Sequence, residues 1–464
     1  MTMAPQASPE GRKAIFTPER AIEALDKPFY DAVAPAEFPK ATLRFRNQRW
    51  AERVGLGGLS DAQWLRHFAR FEPLPDSLEG PLALRYHGHQ FRVYNPEIGD
   101  GRGFLFAQLR DDRGRLLDLA TKGSGQTPYS RFGDGRLTLK GGVREILATE
   151  MLEALGVETS KTFSLVETGE QLHRGDEPSP TRSSVLVRLS HGHIRIGTFQ
   201  RLAYHDEGEA MGRLVEYCLR HFYGEEPGEA PAVQLLAHVA RRTARLAGQY
   251  MAAGFVHGVL NSDNINVTGE SFDYGPWRFA PSWEPGFTAA YFDRSGLYAF
   301  GRQPEAIFWD VMQLAASLRL ITGDEDALTG AMNLFPDAYQ AALVEAFFWR
   351  LGLVPGEPEE SMALVQAAAS ALDETKQSID RFFFDCFGGI APRTYPKAFD
   401  GALSVLGQFA PRKTRVHAYW RDHEPCSMLI DEVEAIWSAI DQRDDWKPLN
   451  DKVLAIRRMG EALA

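Results

Sequence analysis

Two runs of strand character, FLFAQLR at 104–110 and LLDLATK at 116–122, stand either side of the turn sequence DDRG. Strand-forming residues separated by Asp and Gly predict an antiparallel hairpin, and this one ends on Lys122. The glycine-rich stretch GSGQTP follows at 123–128. Then Val143, Ile146, Leu147, Met151, Leu152 and Leu155 recur at helical spacing, with Gly156 placed to stop the helix and Glu145 near its first turn. Further strands are predicted at 161–167 and 184–190, which makes residues 82–205 strand-rich with one prominent helix. Helical periodicity dominates afterwards, at 234–254, 304–351 and 361–387, with a loop-and-strand passage at 257–275 and a loop at 355–360. The expected fold class is α+β: a small mixed sheet lobe followed by a larger helical lobe.

Composition narrows the classes of function. The chain has 464 residues, which at roughly 150 residues per domain is ample for large cores. Hydrophobic residues make up 44% and charged residues 24%, as in an ordinary globular protein. Cys218, Cys386 and Cys426 form no Cys-x-x-Cys pair, so neither a disulfide framework nor a cysteine zinc site is expected, and a reducing cytoplasm is the natural compartment. His87 and His89 lack the spacing of a helical metal pair. A net charge of -11 argues against nucleic acid or anionic membrane as partners. The N-terminus lacks the apolar core of a signal peptide, and no run of about 18 uncharged apolar residues occurs. One segment departs from the average: nine Lys or Arg against four Asp between Arg102 and Arg144, a local balance of +5 that suggests an anionic ligand.

The order of the chemistry-bearing parts is informative. A glycine turn (GDGRG, 99–103) precedes the hairpin ending in Lys122 and the helix with Glu145; far downstream come HGVLNSDN at 257–264 and DYG at 273–275. This is the order found in protein kinases. There a glycine loop admits phosphates, a strand lysine neutralises them, a helical glutamate orients the lysine, and Asn with Asp hold a metal. His257 and Asn264 are seven residues apart, as in the kinase pattern H-R-D-L-x-x-x-N, and Asp273-Tyr274-Gly275 stands where kinases have Asp-Phe-Gly. The catalytic aspartate of that pattern falls on Val259, which can neither accept a proton nor orient a hydroxyl; a carboxylate appears instead at Asp263. A bilobal, protein-kinase-like fold with altered chemistry is the expectation. His257 reads as a structural histidine.

With GHQF at 88–91, GDGR at 99–102, KGSGQTPYSR at 122–131, GDGR at 133–136, HIRIGTFQ at 193–200, HGVLNSDN and DYGPW at 273–277, the chain resembles the selenoprotein O family of kinase-like protein adenylyltransferases. The motifs span roughly residues 82–310. The resemblance implies that ATP lies flipped relative to kinases, so that AMP passes to a Ser, Thr or Tyr hydroxyl of a protein substrate and pyrophosphate leaves. It implies that Gly99, Gly101 and Arg102 approach the nucleotide, that Lys122 contacts its phosphates with Glu145 as partner, and that Asp134 and Gly135 contact it too. Arg188 and Arg195 would clamp phosphate. Asp263 would accept the proton, and Asn264 with Asp273 would bind Mg²⁺ or Mn²⁺, Asp273 also facing the nucleotide. The implied domains are an N-terminal extension at 1–81 whose first residues are disordered, an N-lobe at 82–205, a helical C-lobe at 206–389 and a divergent helical C-terminal region at 390–464, where LIDEVEAIWSAI (429–440) predicts a helix.

Three departures stand out. Arg92 and Gln126 replace the usual Gly and Arg of GHQFG and GSGRTPFSR, moving one positive charge from the second loop to the first. The chain ends RRMGEALA, without the terminal cysteine of many members, so redox control through such a residue is not expected. Alternatives to AMP transfer from ATP are UMP transfer from UTP, a non-catalytic pseudokinase scaffold, and a kinase that uses Asp263 as a displaced base.

Overall fold

The computed structural model describes residues 14–175 and 177–464; the disorder expected of the first dozen residues lies outside them. Seven strands form the path of the main sheet, in the order Tyr30–Ala32, Leu82–Leu84, Leu105–Arg110, Leu116–Lys122, Thr181–Ser190, Lys161–Leu172, Thr42–Arg46. Pro18–Glu19 and Leu137–Thr138 attach beside it, making nine strands.

The predicted hairpin forms with Arg110 opposite Leu116, and its turn is held by Asp111, whose Oδ1 accepts from the backbone N–H groups of Arg113 (3.0 Å) and Arg115 (2.9 Å). The sheet, expected to be mixed, is antiparallel at every pairing. The reason lies in the connection made by the helix Leu139–Ala154. It leads from Leu116–Lys122 to Lys161–Leu172, but Thr181–Ser190 returns between them, so no parallel neighbours meet. Residues 18–46, read by sequence as part of an extension, contribute three strands to this sheet.

Both faces of the sheet are covered, which is why its central strands read as apolar runs. On one face Leu105, Leu116, Leu165 and Leu186 meet Val143, Ile146 and Leu147 of the helix. On the other, Phe104, Phe106, Leu117, Phe163 and Val187 meet Trp64 and Phe68 of the helix Asp61–Phe68. Each such side chain, fully buried, contributes about 1.5–3 kcal/mol. The helix starts earlier than its apolar period suggests, because Thr138 caps it, accepting from Gly141 N–H at 3.1 Å; Glu145 therefore sits in the second turn. Gly142 lets it lie against the sheet: a Cβ there would be 2.3 Å from Leu165 Cδ1. Gly156 ends the local structure at φ +78°.

The helical portion is built on Pro231–Ala253, flanked by Gln303–Leu318 and Phe335–Leu351. The stretch 304–351, read as helical, is three helices. Thr322-Gly323-Asp324 interrupts it, Asp324 capping Glu325–Met332 by accepting from Ala327 N–H at 2.9 Å, and Pro336 opens the third. Pro358 likewise begins Pro358–Thr375 inside the predicted 355–360 loop. No helix among the described residues is long and apolar enough to cross a membrane.

Candidate active site

Lys122, at the end of its strand, is 5% exposed, and its Nζ lies 2.5 Å from Glu145 Oε1 and 2.7 Å from Asp273 Oδ1. The hairpin delivers the lysine, the helix the glutamate, and the DYG segment the aspartate, which adopts φ +64°. Arg188 extends from the neighbouring strand, buried rather than solvent-facing as strand alternation alone would suggest, with Nη1 3.4 Å from Asp273 Oδ1. Arg195 is buried between aromatic rings, its guanidinium carbon 4.1 Å from the Tyr86 centroid and 4.9 Å from that of Phe272. It donates to Asp263 O (3.0 Å) and to Asp100 Oδ1 (3.2 Å). Burial pushes the Asp273 carboxyl up, but Lys122, Arg188, Arg195 and Arg102 outweigh it and hold the group well below the usual carboxylate range.

Two nitrogens of this cluster suit it to an anion. The Nε atoms of Arg188 and Arg195 are buried and have no hydrogen-bond partner. Buried donors of charged groups are costly to leave unpaired, and a phosphate offers the acceptors they lack.

Asp263 sits in the single turn Ser262–Asn264, with its Oδ1 also buried and unpartnered. Burial pushes its carboxyl up to about 6, against the pull of Arg195. The loop around it is clamped from the GHQF segment: His89 N–H donates to Ser262 Oγ (2.8 Å) and Phe91 N–H to Asn261 Oδ1 (2.9 Å). Gly88 lies close to this carboxylate: a Cβ there would stand 3.0 Å from Asp263 Oδ1. His257 is structural, with Nε2 3.0 Å from Phe272 O and its N–H donating to Gln303 Oε1 at 3.0 Å. Asn264 Nδ2 donates to Val259 O (3.0 Å), which fixes the amide plane and leaves its oxygen as the available ligand. An amide oxygen and a carboxylate are the donor types that Mg²⁺ or Mn²⁺ takes when phosphates and water complete its shell. The residues present fit such an ion.

The two glycine loops lie against each other. A Cβ at Gly99 would be 2.5 Å from the Tyr129 ring and one at Gly101 2.9 Å from Tyr129 O, while Ser130 Oγ donates to Gly101 O at 2.5 Å. Arg102 is exposed at this edge. Asp134 is engaged elsewhere: it pairs with Arg174 at 2.8 Å and accepts from Arg136 N–H at 3.0 Å. Gly135, at φ +69°, packs on the backbone of Gly125, and these two residues hold the loop's far end. The structure thus gathers Lys122, Glu145, Arg188, Arg195, Asp263, Asn264 and Asp273, with Arg102 at the rim, and gives Asp134 and Gly135 intramolecular partners.

The basic segment 102–144 is no single patch. Arg110 pairs with Glu19, Arg115 with Asp111, Arg136 with Glu170 and Lys140 with Glu434, while Lys122 enters the buried cluster and Arg102 acts on Asp273 from its rim. The departures Arg92 and Gln126 also have local partners, Glu305 at 3.5 Å and Gly133 O at 2.7 Å. Asp100 escaped the sequence reading although it holds Arg195; its place inside GDGRG was the available signal.

The sequence model of the family described as protein adenylyltransferase SelO matches residues 14–457. Proteins named protein nucleotidyltransferase YdiU are similar over most of their length. The one from Synechocystis sp. is 41% identical over 468 residues (94% of this chain, 97% of the relative), and that from Gloeobacter violaceus 41% over 465 residues (95% of each). The one from Aeromonas salmonicida is 36% identical over 354 residues, 76% of this chain and 72% of the relative. The match extends through the region beyond 390, where the sequence offered no motif. On the extent of these matches and the residues gathered around Lys122, the chain belongs to the protein adenylyltransferase SelO family.

Proposed function

We propose that this chain transfers AMP from ATP to Ser, Thr or Tyr hydroxyls of other proteins, on a fold of protein-kinase type in which the triphosphate lies reversed. One observation carries the reading: unpartnered, buried Arg188 and Arg195 nitrogens stand in the same site as Asp263, a carboxylate with a free buried oxygen, while Val259 occupies the position of a kinase base. Such a site has cations for a leaving pyrophosphate and a base for an incoming alcohol.

The hydroxyl proton passes to Asp263 as the oxygen attacks the α-phosphorus. The bond from that phosphorus to the bridging oxygen breaks, and pyrophosphate departs with the electron pair. Arg188, Arg195 and Lys122 neutralise the charge that grows on it, a contribution commonly worth about 10²–10³ in rate per donor. Glu145 and Asp273 keep Lys122 in place. A divalent ion held by Asn264 and Asp273 supplies charge neutralisation on the phosphates when bound. The raised proton affinity of Asp263 suits a group that must take a proton near neutral pH.

Parallel incubations of the protein and acceptor proteins with α-labelled and γ-labelled ATP test the reading. Label retained on protein from the α-position alone supports it; label from the γ-position alone means phosphorylation, and none from either means a nucleotide-binding scaffold.

A further inference from the structure

The helix that presents Glu145 inward is gripped on its outer side by both ends of the chain. Five residues beyond Glu145, about 140° around the helix, lies Glu150, a buried carboxylate. Arg457, in the C-terminal helix Lys447–Leu463, takes it with both prongs: Nε to Oε2 at 2.8 Å and Nη2 to Oε1 at 2.6 Å. Asn47 Nδ2 adds a longer bond to the same carboxylate at 3.4 Å. Alongside, Gly460 brings the two helices into contact, since a Cβ there would be 3.2 Å from Ala154 Cβ. Trp50 Nε1 donates to Glu153 at 3.0 Å, and Lys140 reaches Glu434 at 2.7 Å. Asp444, between the last two helices, ties them to the sheet through Arg182 (2.7 Å) and Arg44 (3.1 Å).

This grip matters because of what the helix must do. The Lys122–Glu145 contact tolerates little rotation or sliding, and a site of this kind works only when its groups are held to about 0.5 Å. The first turns contain Gly141 and Gly142, which weaken a helix by about 1 kcal/mol each relative to alanine. Internal stiffness is therefore poor where the glutamate stands, and outside contacts must set the register. A bidentate guanidinium on a buried carboxylate fixes both the height and the rotation of the helix, because a slide or a turn breaks one of the two parallel bonds.

We infer that Arg457 is a positioning residue for the nucleotide site: acting through Glu150, it holds the helix Leu139–Ala154 where Glu145 meets Lys122, and the helices from Ile430 onward are a built-in brace. The inference rests on the reading of Lys122 and Glu145 as nucleotide contacts, and it gives the C-terminal region a task in the same site.

The test uses full-length Arg457→Ala, Arg457→Lys, Glu145→Gln and the Arg457→Ala/Glu145→Gln double variant, with MgATP affinity measured by calorimetry. Arg457→Ala should weaken MgATP about tenfold, Arg457→Lys less, and Arg457→Ala should add under about twofold in the Glu145→Gln background, since its effect runs through that side chain. Equal losses in both backgrounds, or unchanged affinity in Arg457→Ala, overturn the proposal. Affinity does not depend on which phosphorus is transferred, so failure of the AMP-transfer reading shows separately. Hydrogen exchange of the folded variants decides the case if wild type binds no MgATP or if Arg457→Ala does not fold, Arg457→Lys then standing in. Faster exchange at amides 146–154 with strand Lys161–Leu172 unchanged supports the brace, and unchanged exchange in the helix contradicts it.

Discussion

Lys122 Nζ is shared between Glu145 and Asp273, at 2.5 and 2.7 Å, so a single ammonium joins the sheet, the helix and the DYG segment. Removing it strands two carboxylates in a largely buried site. Lys122→Met should lower transfer at least about 10²-fold and destabilise the fold by about 3–5 kcal/mol. Adding Glu145→Met should recover part of the stability and none of the activity. Urea denaturation beside the labelling assay checks both, and a single variant as stable as wild type contradicts the account.

Gly88 leaves room for the base. Gly88→Ala puts a methyl 3.0 Å from both Asp263 Cβ and Oδ1, so the carboxylate or the loop must shift. The expected result is a fall in kcat of severalfold, up to about tenfold, with KM for ATP within about twofold, since displacing a base costs rate more than binding. An equal rise in KM would place Gly88 in nucleotide binding instead.

The acid limb of the rate profile should belong to Asp263. Its carboxyl stands at about 6 because it is buried, and the base works only when ionised. Transfer measured as kcat/KM should therefore be level above that pH and fall about tenfold per unit below it. A profile flat from about pH 7 down to about pH 5 would remove Asp263 from that role.

Stability should also decline in acid through His193. This histidine is 2% exposed, 3.3 Å from Asp118, and burial brings it down to about 4 although Asp118 opposes the fall. The unfolded chain takes up the proton near the ordinary value of about 6.5, whereas the folded chain resists until about 4. Below the unfolded value the unfolded state binds more protons, so stability is lost as pH falls between these limits. Urea midpoints at several pH values should show His193→Gln losing less than wild type over that window; parallel losses would contradict the assignment.

What the sequence disclosed about this site is what depends on short-range pattern. Lys122 ends a hairpin whose turn is made by Asp111, four residues from its partner Arg115, and Glu145 lies on a helix announced by its own apolar spacing. Val259 and Asp263 were distinguishable by register alone. Contacts made across the chain were not. Arg457 and Glu150 are 307 residues apart, and neither carries a local signal of the other. The strands Tyr30–Ala32 and Thr42–Arg46 are short and half-buried, so their alternation is too brief to separate from loop, and only pairing with Leu82–Leu84 and Lys161–Leu172 defines them. Net charge along residues 102–144 is coarse for a related reason: sequence counts charges, while the fold pairs Arg110, Arg136 and Lys140 with acids from other segments.

The reversed triphosphate is the claim on which the chemistry turns, and a crystal structure with Mg²⁺ and an ATP analogue that cannot be cleaved between the α- and β-phosphorus reads it directly. The account expects the α-phosphorus nearest Asp263, the outer phosphates against Arg188 and Arg195, and the metal on Asn264 and Asp273. A γ-phosphorus nearest Asp263, with the α-phosphorus buried behind Lys122, would contradict it.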